Sequence, residues 1–167
     1  MKVKIMKSPF FSLTLFGILT LSGFNTDISK NFFTIGDKKI SLNSAIIANE
    51  SYGVKSKFEV DLISQSTDLT KAQNYVYFSL TTNNTTNLTN GIYEFSSAIL
   101  SQRLPFNFNG TVKVNGHVVE IADGTISIEN RKGDFDIQFV LKLKNGDTAK
   151  GAYQGKVSEV NRSRSYE

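Results

Sequence analysis

The chain has 167 residues, 40% of them hydrophobic and 20% charged, with no cysteine and no tryptophan. That length suffices for one domain with a core of its own, and the missing thiols exclude disulfides, zinc–thiolate sites and cysteine nucleophiles. The net charge of +4 is concentrated at the N-terminus: without Lys2, Lys4 and Lys7, 16 basic residues face 15 acidic ones. A near-neutral domain without basic clusters lacks the electrostatic footprint of phosphate-backbone binding, so no nucleic acid is expected among its partners.

Residues 1–7 form a short basic start, and from Pro9 to Phe24 the chain carries no charge. The stretch includes Phe10, Phe11, Leu13, Leu15, Phe16, Ile18, Leu19 and Leu21, and it turns polar at Asn25-Thr26-Asp27. A basic start, an apolar run of roughly 15 residues and a polar exit predict a secretory signal over residues 1–23. The run is short for a bilayer span of about 20 residues. Left uncleaved, this segment is the one expected membrane contact. Leu21-Ser22-Gly23 is what precedes the lipidated cysteine of bacterial lipoproteins, but position 24 is Phe24, which offers no thiol to acylate. Cleavage after Ser22, with Thr20 three residues from the cut, suits ordinary signal peptidase. The protein is thus expected in the periplasm, at the cell surface or outside the cell.

Strand candidates follow in chain order. Residues 32–35 and 39–42 are short. Residues 44–48 read as a strand or a helical turn. Lys57-Phe58-Glu59-Val60-Asp61-Leu62 alternates cleanly, and Tyr75 to Leu80 alternates in a strand whose two faces are both partly covered. Residues 91–95 add another short strand. From residue 108 to 157 a meander is legible by arithmetic, because each turn must return the apolar set to the same face. Asn115-Gly116 predicts a two-residue hairpin loop pairing Val114 with His117 and Val112 with Val119. Asp123-Gly124 predicts a second one, pairing Ile121 with Ile126 and Val119 with Ile128. Asn130-Arg131-Lys132-Gly133 serves as a four-residue loop that sets Ile128 opposite Phe135 and Ile126 opposite Ile137. A three-residue loop, Lys144-Asn145-Gly146, sets Leu141 opposite Ala149 and Ile137 opposite Tyr153. Gly151 and Gly155 flank Tyr153 and leave room for large rings. Val118 and Val140 are the apolar exceptions on the wet face.

No segment beyond residue 30 keeps a helical period over three turns. The predicted fold is therefore all-β: an antiparallel β-sandwich or open β-barrel of roughly nine strands with a C-terminal meander. It forms a single domain over residues 24–157, followed by a polar tail over 158–167 that is expected to fray.

Candidate sites are few. His117 is the single histidine; Glu120 and Asp123 stand near it in sequence, and it reads as an edge residue beside a turn. Asp134 and Asp136 share a face, with Glu120 and Glu129 near them. Paired carboxylates serve glycosidases, but they need a cleft and one raised pKa, and the wet side of a sheet explains them equally well. Thr81 to Asn90 is a polar low-complexity stretch, read as a solvated hairpin loop or a recognition loop. Tyr75, Tyr77 and Tyr93 supply either core packing or a stacking surface for sugars. There is no Gly-x-Ser-x-Gly elbow and no phosphate-binding glycine loop. No catalytic, cofactor-binding or metal-binding residue is assigned, and no cofactor is expected.

Gly91-Ile92-Tyr93-Glu94-Phe95, Gly124-Thr125-Ile126-Ser127-Ile128, Asp134-Phe135-Asp136-Ile137 and Gly151-Ala152-Tyr153-Gln154-Gly155 together resemble small exported β-rich proteins of Bacteroidota. These are lipoprotein-like, some of them calycin-like, and mostly of unknown function. The resemblance covers most of the mature chain but rests on turns and strands, so it carries over no functional residue. Phe24 departs from its lipid-anchoring pattern. The expected function is that of a non-enzymatic envelope protein binding a partner protein or glycan through its loops. The alternatives are a calycin-like barrel holding a small apolar ligand and, last, a carboxylate-based hydrolase.

Overall fold

The structure, a computed structural model, describes residues 31–65 and 72–164. The expected signal segment 1–23 and Phe24 lie outside the described residues. No described helix is long and apolar enough to cross a membrane. Eleven strands run in chain order: β1 Phe32–Ile35, β2 Lys38–Ser41, β3 Ser44–Asn49, β4 Phe58–Ser64, β5 Asn74–Thr81, β6 Gly91–Phe95, β7 Asn107–Val114, β8 His117–Arg131, β9 Asp134–Leu143, β10 Thr148–Gly155 and β11 Ser158–Asn161. Among the described residues the one helical element is a 3-10 turn, Leu100–Gln102. The expected all-β class holds, with eleven strands rather than nine, and residues 44–48 belong to a strand.

The strands form one sheet in the order β11-β3-β4-β5-β7-β6-β8-β9-β10-β1-β2. It is strongly curled and open, a half-barrel. The chain itself imposes the curl. β2 and β3 lie nine places apart in this order, yet only Leu42 and Asn43 join them. A flat sheet would separate them by roughly 43 Å at about 4.8 Å per strand, whereas three Cα steps of about 3.8 Å span at most ~11 Å. β10 and β11, eight places apart, are likewise joined only by Lys156 and Val157. Both ends of the sheet are thus tied across the same seam.

The inner face is the core. Along β9, Phe135, Ile137, Phe139, Leu141 and Leu143 are buried while the alternate residues face outward, four of these five, all but Asp136, plainly exposed. Phe78 of β5 packs its ring against Phe108 at 5.7 Å and against Phe139 of β9 at 5.6 Å, both edge-to-face. β5 and β9 are not neighbours in the sheet, so these contacts close across the curl. Gly151 makes room for them: a methyl at its Cα would overlap the Phe139 ring and Phe33.

Three meander turns behave differently from one another. Asn115-Gly116 forms the expected two-residue loop, with φ of 50° and 84°, pairing Val112 with Val119 and Val114 with His117. The loop after β9 also follows expectation: Leu141 faces Ala149 and Ile137 faces Tyr153. The turn after β8 is tighter than expected. Lys132 and Gly133, at φ of 57° and 86°, close it as a two-residue loop, so Ile128 faces Ile137 and Ile126 faces Phe139. The shift is by two residues, which keeps every side chain on its face.

Asp123-Gly124 is not a hairpin. β8 runs straight through it, with a bulge between Ile121 and Asp123. Gly124 sits at φ 140°, where a side chain would overlap the Val140 carbonyl, and its amide donates to Asp123 Oδ1 at 2.8 Å. One extra residue inverts the alternation, so Ile121, Ile126 and Ile128 all point inward although the first two are five apart. A two-residue loop would have done the same, which is why face arithmetic does not separate the two.

β7 and β8 pair directly only over Thr111–Val114 and His117–Glu120. They then splay, and β6 fills the gap, antiparallel to β8 and parallel to β7. The start of the expected polar tail is also a strand: β11 runs parallel to β3, Ser158 opposite Ile46 and Asn161 opposite Asn49. Arg162 N donates to Asn49 O at 2.8 Å and Arg164 N to Ser51 O at 2.9 Å, extending the ladder.

A candidate ligand cleft at the end of the half-barrel

Three connections meet at one end of the curl: the β1–β2 turn, the β7–β8 hairpin and the β9–β10 loop. Between them lies a cleft of about 440 Å³. Its apolar lining is Ile35, Val112, Val114 and Val119, which are buried or half-buried; its polar lining is Asp37, Lys38, His117, Asn145 and Asp147, all exposed. The apolar residues are inward-facing strand positions that the alternation of β1, β7 and β8 aims into the curl. The polar ones stand on the turns and make the rim.

The walls are held in place. Lys144 N donates to Glu120 O at 2.9 Å, and the Lys144 ammonium pairs with the Glu120 carboxylate, tying the β9–β10 loop to β8. On the other flank the hairpin is anchored by Asn115 N donating to Asn74 Oδ1 at 2.8 Å and Gly116 N to Gln73 O at 3.0 Å. Within the loop, Asn145 Nδ2 donates to Asp147 Oδ2 at 2.8 Å, which orients that carboxylate on the rim. A concave apolar floor under a few placed polar groups is the ordinary build of a small-molecule site.

The residues singled out from the sequence distribute as follows. His117 is exposed at the first position of β8 and lies on the rim. Asp134, Asp136, Glu120 and Glu129 stand on the outer face, each with its own partner: Lys156 for Asp134 at 3.2 Å, Gln138 for Asp136 at 3.1 Å, Lys144 for Glu120 and Arg131 for Glu129 at 2.6 Å. Such surface pairs contribute about 0–1 kcal/mol and do not converge on a cleft. Among the described residues no group of three or more potential metal ligands is assembled.

Of the stretch from Thr81 to Asn90, Thr81 closes β5 and the rest is a loop stitched by its own hydrogen bonds; it is not a hairpin loop, because β5 and β6 do not pair. Asn84 Oδ1 accepts from the amides of Thr86 and Asn87, Asn49 Nδ2 donates to Thr85 O at 2.8 Å, and Thr82 and Thr89 hydroxyls bond at 3.0 Å. Tyr93 is core, with its hydroxyl donating to Thr89 O at 2.6 Å. Burial pushes its phenol upward from the ordinary tyrosine range. Tyr75 lies under the Lys113 ammonium, and Tyr77 donates to Glu59 Oε1 at 3.0 Å.

One polar cluster escaped the sequence reading. Asp61, in the middle of β4, is 8% exposed, and its Oδ1 has no hydrogen-bond partner. Burial, and next the neighbouring Glu59 charge, push its carboxyl up to about 6, against a lowering pull from Arg162. The signal was available in part: Glu59 and Asp61 share a face of the alternating strand, and the Tyr75–Leu80 strand beside it reads as covered on both sides.

Comparison with family models, with curated proteins and with solved structures gives no match to this chain.

Proposed function

We propose that this is an exported, non-enzymatic binding protein of the cell envelope that takes a small amphipathic ligand in the end cleft. The observation that carries the reading is the cleft itself: an apolar floor of Ile35, Val114 and Val119 beneath a polar rim, braced by hydrogen bonds on both flanks. The site is built from connections, as loop-mediated recognition requires, and its volume lies in the range of small-molecule pockets, about 300–1,000 Å³. The calycin-like alternative, with an apolar ligand deep in the barrel, is disfavoured by the rings of Phe78, Phe108 and Phe139 that pack against one another across the curl. An apolar group entering at the end reaches Val114 and Val119 instead.

The test is binding of a panel of small glycans, lipids and amphiphiles to the purified protein, read by native mass spectrometry and by chemical-shift changes. A ligand of the cleft perturbs Val114, His117 and Val119, and V119R abolishes its binding while the thermal midpoint stays within a few degrees. Binding that survives V119R, or shifts confined to the Thr81–Asn90 loop, overturns the assignment to this cleft.

A further inference from the structure

The outward row of β4 runs Glu59, Asp61, Ile63. Asp61 stands between Ile46 of β3 and Tyr77 of β5, and Ser158 of β11 continues the row beyond Ile46. Ile63, the next residue on that face, is fully buried. A carboxylate here is largely stripped of water, and its Oδ1 has no hydrogen-bond partner. Lys57 Nζ is on Glu59 at 2.6 Å, and the Tyr77 hydroxyl is on the same oxygen. Arg103 turns its two terminal nitrogens to Ser79 O and Ser79 Oγ, at 2.5 and 3.1 Å, while its buried Nε has no partner. Arg162, which follows β11 directly, pairs with Glu50 at 2.9 Å. Around Asp61 thus stand one like charge, Glu59, the Tyr77 phenol, and two cations, Lys57 and Arg162, that already hold other carboxylates.

We propose that Asp61 is a proton-operated latch at the sheet edge where β11 pairs with β3. Protonated, it packs as a neutral residue, and Arg162 stays with Glu50 to hold the C-terminal strand. Ionised, it competes with Glu50 for Arg162 and loosens β11. The sign follows from linkage: a carboxyl whose pKa is higher folded than unfolded takes up a proton on folding. Stability conferred by the neutral form is fully present below the ordinary aspartate value of 3.8 and is lost as pH rises through about 6. This is opposite to the usual behaviour of paired carboxylates, which lose stability on acidification.

Urea unfolding and amide exchange of the β11 residues, corrected for intrinsic rates, test this on the purified protein. Between about pH 7.5 and about pH 5 the folding constant should rise on the order of tenfold, the equivalent of one pKa unit, with slower exchange across Ser158–Asn161. D61N should remove that rise and match or exceed the parent at the higher pH. E50Q, which leaves Arg162 free for Asp61, should shrink the pH dependence. A D61N protein with the parent's pH dependence, or a D61N protein less stable at about pH 7.5, overturns the latch. An unchanged pH dependence in E50Q overturns the role given to Arg162.

Discussion

Phe78 shows how much one side chain holds together. It is fully buried on β5 and its ring meets Phe108 and Phe139, so it joins the two sides of the curl. Phe78→Ala removes these contacts and leaves a cavity between rings that cannot collapse onto it, at a cost of about 3–5 kcal/mol. Urea titration reads the loss as a lower midpoint at unchanged slope. Gly151 is the converse case, because Gly151→Val drives two methyls into Phe139 and Phe33. Asp61 belongs to the same scale, since its strand position is plain in the alternation of residues 57–62 while its lost solvation is not. Whether an outward residue meets water depends on what lies over the sheet, and alternation records only the face.

At the scale of elements, β8 is the instructive strand. Ala122 is the extra residue of its bulge, exposed and without a packing role of its own. Deleting Ala122 would return the downstream half to plain alternation and turn Ile126 and Ile128 toward solvent. Loss of cooperative unfolding, or insolubility, is the expected outcome, checked by thermal denaturation. Ala122→Thr keeps the count and should stay within about 0.5 kcal/mol of the parent. The contrast matters because hairpin and bulge satisfy the same parity rule. Asp123-Gly124 carries the composition of a tight turn, and only the pairing of β8 with β9 along its whole length decides for a bulge. The Thr81–Asn90 loop gives a similar lesson. Its polar composition reads as solvated, yet the side chains of Asn49, Asn84 and Thr82 use those polar groups to fix its shape. Asn84→Ala removes the acceptor for two amides and should destabilise by about 1 kcal/mol.

For the whole molecule the pairing is dominated by partners distant in sequence. β1 pairs with β10 and β3 with β11, each more than a hundred residues away. Loop closure must precede the reward of such contacts, so folding in the range of milliseconds to seconds is expected, measured by stopped-flow fluorescence of the tyrosines. The seam is the last part to form on this account, and truncation after Val157 should expose the free edge of β3 and promote association. The sequence by itself determined the strand class, the faces of residues 108–157 and two of the meander turns, because side-chain alternation and turn chemistry act over a few residues. Tertiary structure alone decided the strand order, the wedge of β6, the recruitment of Ser158–Asn161 and the meeting of Ile35, Val114 and Asp147 around one cleft. Those features depend on how far the sheet curls, and the curl arises from links such as Leu42-Asn43 acting between strands whose partners lie elsewhere in the chain.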